Sequence, residues 1–157
     1  MIKNQFFTLF FTLALLTMSC KNEQKETAAA LHMEIMVEHD KVMPKMAEIN
    51  RLKRQLMVYK NIVADENFTL KDSVLNSILV LSKSEDLMTD WMGKYRYPDP
   101  NRSPEDMIKY LTAQKDTITE VGNNIFMSLS IGNSLLKNAP DSIKMTKPKA
   151  AEMPTNH

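Results

Sequence analysis

Glycine is scarce, with 3 in 157 residues, and the places a sheet protein needs for tight turns are mostly missing. Thirteen methionines and many Leu, Lys, Glu and Gln take the place of β-formers, which favours helix. There is a single cysteine, Cys20, so no disulfide can close within the chain. Charge of one sign is not in excess: 20 basic residues stand against 19 acidic ones, and no basic stripe appears, which excludes nucleic acid as the expected partner. No Cys-x-x-Cys-His occurs, which argues against covalent c-type haem. No internal repeat of 20–50 residues is visible. No apolar run reaches the ~20 residues of a comfortable bilayer span.

One shorter apolar run is present, at the N-terminus. Residues 1–4 (Met-Ile-Lys-Asn) form a short positive segment, and 6–18 are apolar throughout apart from threonines. That is the length of an export-signal core. Small Ser19 precedes Cys20, and 21–26 (Lys-Asn-Glu-Gln-Lys-Glu) turn polar at once. Leu16-Thr17-Met18-Ser19-Cys20 resembles the lipobox cut by lipoprotein signal peptidase, with Thr17 where the pattern usually has Leu. The expectation is a signal peptide over 1–19 and lipidation of Cys20, followed by a polar tether over 20–28. Two or more acyl chains, at ~0.8 kcal/mol per buried CH₂, make an anchor that holds. Lys3 is the only charge before Cys20, so the rest of the chain is formally neutral. Lys21-Asn22-Glu23 resembles signals that route lipoproteins to the outer surface, which points to the outer membrane before the inner.

The remainder reads as all-α. A helical pattern runs from about residue 28 to 64, with a stripe centred on His39 that holds His32, Ile35, Met36, Val42, Met43, Met46, Asn50, Lys53 and Met57. Pro44 predicts a kink near 40–44, after which the stripe can rotate toward Ile49, Leu52 and Leu56. A second helix is expected from Thr69, with Thr69-x-x-Asp72 as capping box. Its stripe is Val74, Ile78, Leu81, Met88, Met92 and Tyr95. Tyr97-Pro98-Asp99-Pro100-Asn101 breaks it. Ser103-Pro104-Glu105-Asp106 opens a third helix with cap, N1 proline and first-turn acids. The face of that helix reads Ile108, Leu111, Ile118, Val121, Ile125, Leu129 and Leu136, with Gly122 and Gly132 allowing close approach to a neighbour. Pro140 ends it, and 140–157 reads as a disordered tail. The expected domain over 29–139 is an antiparallel three-helix bundle, or four helices if the first breaks at Pro44.

Chemistry-bearing residues are few. Met36, His39, Met43 and Met46, with Met33 nearby, combine thioether sulfur and imidazole, which suits Cu(I) or haem iron. Methionine is equally an ordinary filler of helical cores. His39-Asp40 are adjacent and expected to diverge by ~100° on a helix. Glu85-Asp86 and Glu105-Asp106 read as solvated or capping charges. Trp91, Tyr95 and Tyr97 read as packing at the end of the second helix, with Trp91 and Tyr95 a candidate partner surface.

Met36-x-x-His39-Asp40-x-x-Met43-Pro44-x-Met46, followed by Leu52-Lys53 and then Met88-x-Asp90-Trp91-Met92, resembles a group of small lipoproteins of Gram-negative bacteria often labelled "viral A-type inclusion protein". The label reflects coiled-coil similarity. The resemblance spans 31–137 and implies a lipoprotein with a helical bundle, and no activity. The expected function is a non-enzymatic binding or structural domain, anchored to a cell-envelope membrane and facing an envelope protein partner. The alternative is a periplasm-facing copper or haem binder built on the Met/His face.

Overall fold

A computed structural model describes the backbone of residues 2–99 and 101–141 and the side chains of 23–99 and 101–141. It contains three packed helices: α1 (Ile2–Ile62), α2 (Phe68–Lys94) and α3 (Pro104–Leu136). No strand occurs among the described residues.

α1 is longer than its sequence pattern. Its backbone is already helical from Ile2 through the segments expected as a signal peptide and as a tether over 20–28. Packing begins only at Ala28, the first buried side chain of the described chain. Pro44 does not break the helix, so the four-helix alternative is not realised. A proline removes one N–H and crowds one preceding carbonyl, and the packed turns on either side keep the remaining ladder intact.

The cores follow a seven-residue period. In α1, Ala28, Ile35, Val42, Ile49, Leu56 and Val63 at the helix end are buried at intervals of seven, with Leu52 and Tyr59 three positions after Ile49 and Leu56. In α2, Val74, Leu81 and Met88 form one such line, and Ser77, Ser84 and Trp91 another. In α3, Leu111, Ile118, Ile125 and Gly132 repeat in the same way. This is the spacing of a coiled-coil seam. The α1 stripe therefore lies ~40–60° to one side of His39, and Met36, Met43 and Met46 are half-buried flanks rather than its centre. Tyr95 and Met92 are likewise half-buried on α2, and Ile108 on α3.

The caps are local chemistry. α3 opens as its sequence predicts: Ser103 Oγ accepts from the Asp106 N–H at 3.2 Å and donates to Asp106 Oδ2 at 2.7 Å. α2 does not start with a Thr69 cap. Asn67 Oδ1 accepts from the Leu70 N–H at 3.3 Å, so Asn67 is the cap and Thr69 stands inside the first turn.

The chain packs as two compact units, and each helix contributes a segment to both. Among the described residues, the first unit comprises 2–44, 87–99 and 101–123, the second 45–86 and 124–141. In the first unit, His32 and His39 of α1 meet Tyr95 and Trp91 of α2, so these segments run antiparallel. Glu34 and Val42 of α1 meet Lys115 and Gly122 of α3, so those run parallel. The order is up, down, up, as expected for short connections.

In the second unit, an alanine Cβ at Gly132 would lie 2.6 Å from Leu52 Cδ2 and 3.4 Å from Leu81 Cδ1, so this glycine lets α3 close on its neighbours. The core of this unit also holds polar groups. Ser84 Oγ bridges to the Asn124 carbonyl at 3.3 Å, whereas Ser77 Oγ is buried with no hydrogen-bond partner among the described residues. Glu85 is not a solvated charge. It accepts from Asn50 Nδ2 at 2.9 Å and Lys53 Nζ at 2.7 Å, joining α2 to α1. The tail residues 142–157 lie outside the described residues.

Candidate functional site

Among the described residues, the first unit gathers most of the aromatic and imidazole side chains. α1 places His32 and His39 seven residues apart on one face, α2 places Trp91 and Tyr95 one turn apart, and α3 supplies Tyr110. The connection after α2 adds Tyr97 and the buried Pro98. Asp99 shapes that connection by accepting from the Asn101 N–H at 2.8 Å, an Asx turn.

The rings form a continuous array. His39 lies 5.9 Å from Trp91, Trp91 stacks on Tyr95 at 4.9 Å, and Tyr95 lies nearly parallel to Tyr110 at 6.5 Å. His32 lies nearly parallel to Tyr95 at 6.2 Å, and Tyr97 meets His32 edge-on at 4.7 Å. Such offset and edge contacts suit the ring quadrupoles and add ~0.5–1.5 kcal/mol per pair beyond burial. The polar tips are partnered. His32 Nδ1 is 2.7 Å from the Tyr95 hydroxyl, Trp91 Nε1 donates to Gln114 Oε1 at 3.1 Å, and the Arg96 N–H donates to the Tyr110 hydroxyl at 3.2 Å. Burial, with Tyr110 and Tyr97 adding to it, raises the Tyr95 pKa above the ordinary tyrosine value, so this phenol stays protonated at neutral pH.

The sequence left the Met/His face as core filler or, alternatively, a Cu(I) or haem site. His39 Nδ1 is 2.9 Å from Asp40 Oδ1, so the adjacent pair that should diverge does meet. A short carboxylate can reach back around the helix to the near imidazole nitrogen, and the ~100° rule holds for Cβ directions, not for side-chain ends. The ring beside His39 is the Trp91 indole. Met36 and Met43 are half-buried in this unit, and Met33 is exposed. Met46 is half-buried and belongs to the second unit. Among the described residues, no three His, Cys, Asp or Glu converge as metal ligands. Trp91 is 6% exposed and faces the interior of its unit, whereas Tyr95 is half-buried and Tyr97 is 50% exposed. Cys20 falls on the α1 backbone, and its side chain is outside the described residues.

Sequence reading missed two members of the array, His32 and Tyr110. The shared face of His32 and His39 was visible, but it pointed to sulfur neighbours. Tyr110 joins only because α3 runs back along α2.

A second feature of this unit is an open groove of about 540 Å³ between α1 and α3. Ala30, Met33 and Val37 supply its apolar floor, and Glu34, Glu38, Lys115 and Thr119 its rim. Met33 and Val37 are more than half exposed. Lys115 bonds Glu34 across the groove, and that hydrogen bond with its charge raises the lysine pKa. Among the described residues, no helix is long and apolar enough to cross a membrane.

Comparison with known proteins finds no family model that matches the chain, and no curated protein or solved structure with significant similarity to it.

Proposed function

We propose that the protein is a lipid-anchored component of the bacterial cell envelope, held by acyl chains on Cys20, and that its helical domain works by binding another envelope protein and not by catalysis. The observation that carries the binding reading is the groove on the first unit. Large apolar side chains there, Met33 and Val37, stand one turn apart in solvent, while the nearby ionisable groups Glu34, Lys115 and Glu38 are engaged with partners on their own chain. An apolar strip with a satisfied rim suits the apolar face of a helix from a partner. The anchor reading rests on the single cysteine at the junction of the apolar run and the polar segment.

The copper or haem alternative asks the His39 imidazole to meet thioether sulfurs. Asp40 at Nδ1 leaves Nε2 open, as in most metal-bound histidines, but the ring beside His39 is the Trp91 indole, Met33 stands exposed and Met46 belongs to the second unit, so the observations favour the binding reading.

The test is a photo-crosslinking residue placed at Met33 or Val37 of the full chain in intact cells, with the exposed α3 position Lys109 as control. Light-dependent adducts to one envelope protein are expected from 33 and 37 and not from 109. Equal labelling from all three positions, or none from the groove, would remove the groove as a binding site.

A further inference from the structure

Apolar exposure is shared unevenly between the two units. Thirteen large apolar side chains stand exposed among the described residues; Met33, Val37 and Tyr97 belong to the first unit and the other ten to the second. Exposed apolar groups scattered singly are ordinary, but a row of them along one helix is not. α2 carries such a row in Phe68, Leu75 and Leu79, which are 72%, 38% and 65% exposed. Their spacing of seven and then four residues is that of a coiled-coil seam. The row stands ~100–140° round the helix from the buried Val74. α2 thus has one seam closed inside its own chain and a second one open. We propose that the open seam is the contact between two copies of this chain, with α2 packed antiparallel against α2 of the second copy about a two-fold axis near residue 77.

Two features of the row select a second copy as its occupant. The first is self-complementarity, because a two-fold contact sets a surface against itself with its direction reversed. With the axis midway between Leu75 and Leu79, Leu75 of each copy lies against Leu79 of the other, and Phe68 closes each end.

The second feature is charge. Asp72 and Lys83 are exposed, and neither side chain has an ion pair or hydrogen bond among the described residues. Asp72 stands five positions before the axis and Lys83 six after it, ~7.5 and ~9 Å along the helix. Both fall on the same side of the row, within ~60° of its centre. The reversal therefore sets Asp72 of each copy beside Lys83 of the other, giving two opposite-charge pairs that the single chain lacks. A parallel pairing would set Asp72 against Asp72 and Lys83 against Lys83, which like charge opposes. Lys71, on the opposite edge of the row, is already held by Asp65. The contact lies wholly within the second unit and does not depend on the groove of the first.

Sedimentation equilibrium of the full chain in density-matched detergent, with micelles in large excess over protein, decides between one chain and two. Wild type is expected at the mass of two chains. Leu79→Asp puts a charge into the row at an exposed position, and it should sediment as one chain with helix content unchanged. Asp72→Lys and Lys83→Asp should each weaken the dimer by roughly fivefold or more, and the double variant, which exchanges the two charges, should recover it. A wild-type mass of one chain at every concentration, a two-chain mass for Leu79→Asp, or a double variant no tighter than either single one would overturn the assignment.

Discussion

Gly132 and Gly93 carry the same residue type and should respond in opposite ways. At Gly132 a methyl would come within 2.6 Å of Leu52 Cδ2 and 3.1 Å of its Cγ, and Leu52 is 1% exposed, with little room to move. Overpacking of this kind costs about 1–3 kcal/mol, more than the ~1 kcal/mol that alanine returns in helix propensity. At Gly93 nothing lies within 4 Å of the added carbon, so only the propensity gain remains, reduced by its place in the last turn of α2. Thermal unfolding of the two alanine variants is expected to show a lower Tm for Gly132→Ala and a Tm at or above wild type for Gly93→Ala. A Tm for Gly132→Ala equal to that of Gly93→Ala would mean that α3 does not close on Leu52. Both glycines were plain in the sequence, and close approach was the expected role for Gly132. Which neighbour it approaches was not, because the partner comes from 80 residues earlier in the chain.

At the scale of helices, the clearest joint in the second unit is Glu85 on α2 with Lys53 and Asn50 on α1. The Lys53 hydrogen bond holds the Glu85 carboxyl below the usual carboxylate range; burial opposes this, and the Asn50 bond and the lysine charge add to it. A folded-state pKa below the unfolded value means that the unfolded chain takes up the proton first. The stability from this joint is therefore present above the ordinary carboxylate pKa and is lost as pH falls through the folded value. Both side chains are about a quarter exposed, so its size is about 1 kcal/mol or less. Wild type should lose Tm below about pH 4 more steeply than Glu85→Gln, which starts lower at neutral pH. Parallel pH profiles for the two proteins would show that the joint adds nothing. The sequence placed Asn50 and Lys53 toward the interior stripe but left Glu85 in solvent, because a charge on one helix reads as solvated until the opposite helix is known. Helix existence and the α3 cap were legible, since both depend on residues within a turn or two. The α2 cap was misplaced by two residues, from Asn67 to Thr69, within the range over which caps compete.

For the whole molecule, a formally neutral helical domain behind a lone cysteine makes a sharp expectation about location. On the proposed reading, two or more acyl chains on Cys20 would hold the protein at a membrane, and without them only a peripheral interaction would remain. In a Gram-negative host fed labelled palmitate, wild type should take up label and sediment with membranes. Cys20→Ala should take up none, since it removes the atom that is acylated. Label retained in Cys20→Ala would place the lipid elsewhere and end the anchor reading.

Composition and local spacing determined by themselves that the chain is all-α with three helices, that α2 ends and α3 begins and ends near prolines and capping residues, and where the one cysteine stands. These are short-range properties: propensity, caps and the apolar run each act within a few residues. Ile35 and Val42 lay on the stripe read from the sequence, and Ile49, Leu52 and Leu56 on its rotation after Pro44; tertiary structure decided that the buried seam of α1 runs through these residues and leaves His39 and the methionines on its flank, a choice that only packing against α2 and α3 can make. The same choice set His39 beside the Trp91 indole, in an imidazole–indole–phenol array that the sequence did not show. His32, His39, Trp91, Tyr95 and Tyr110 are separated by up to 78 positions in sequence, and the three helices bring them within contact.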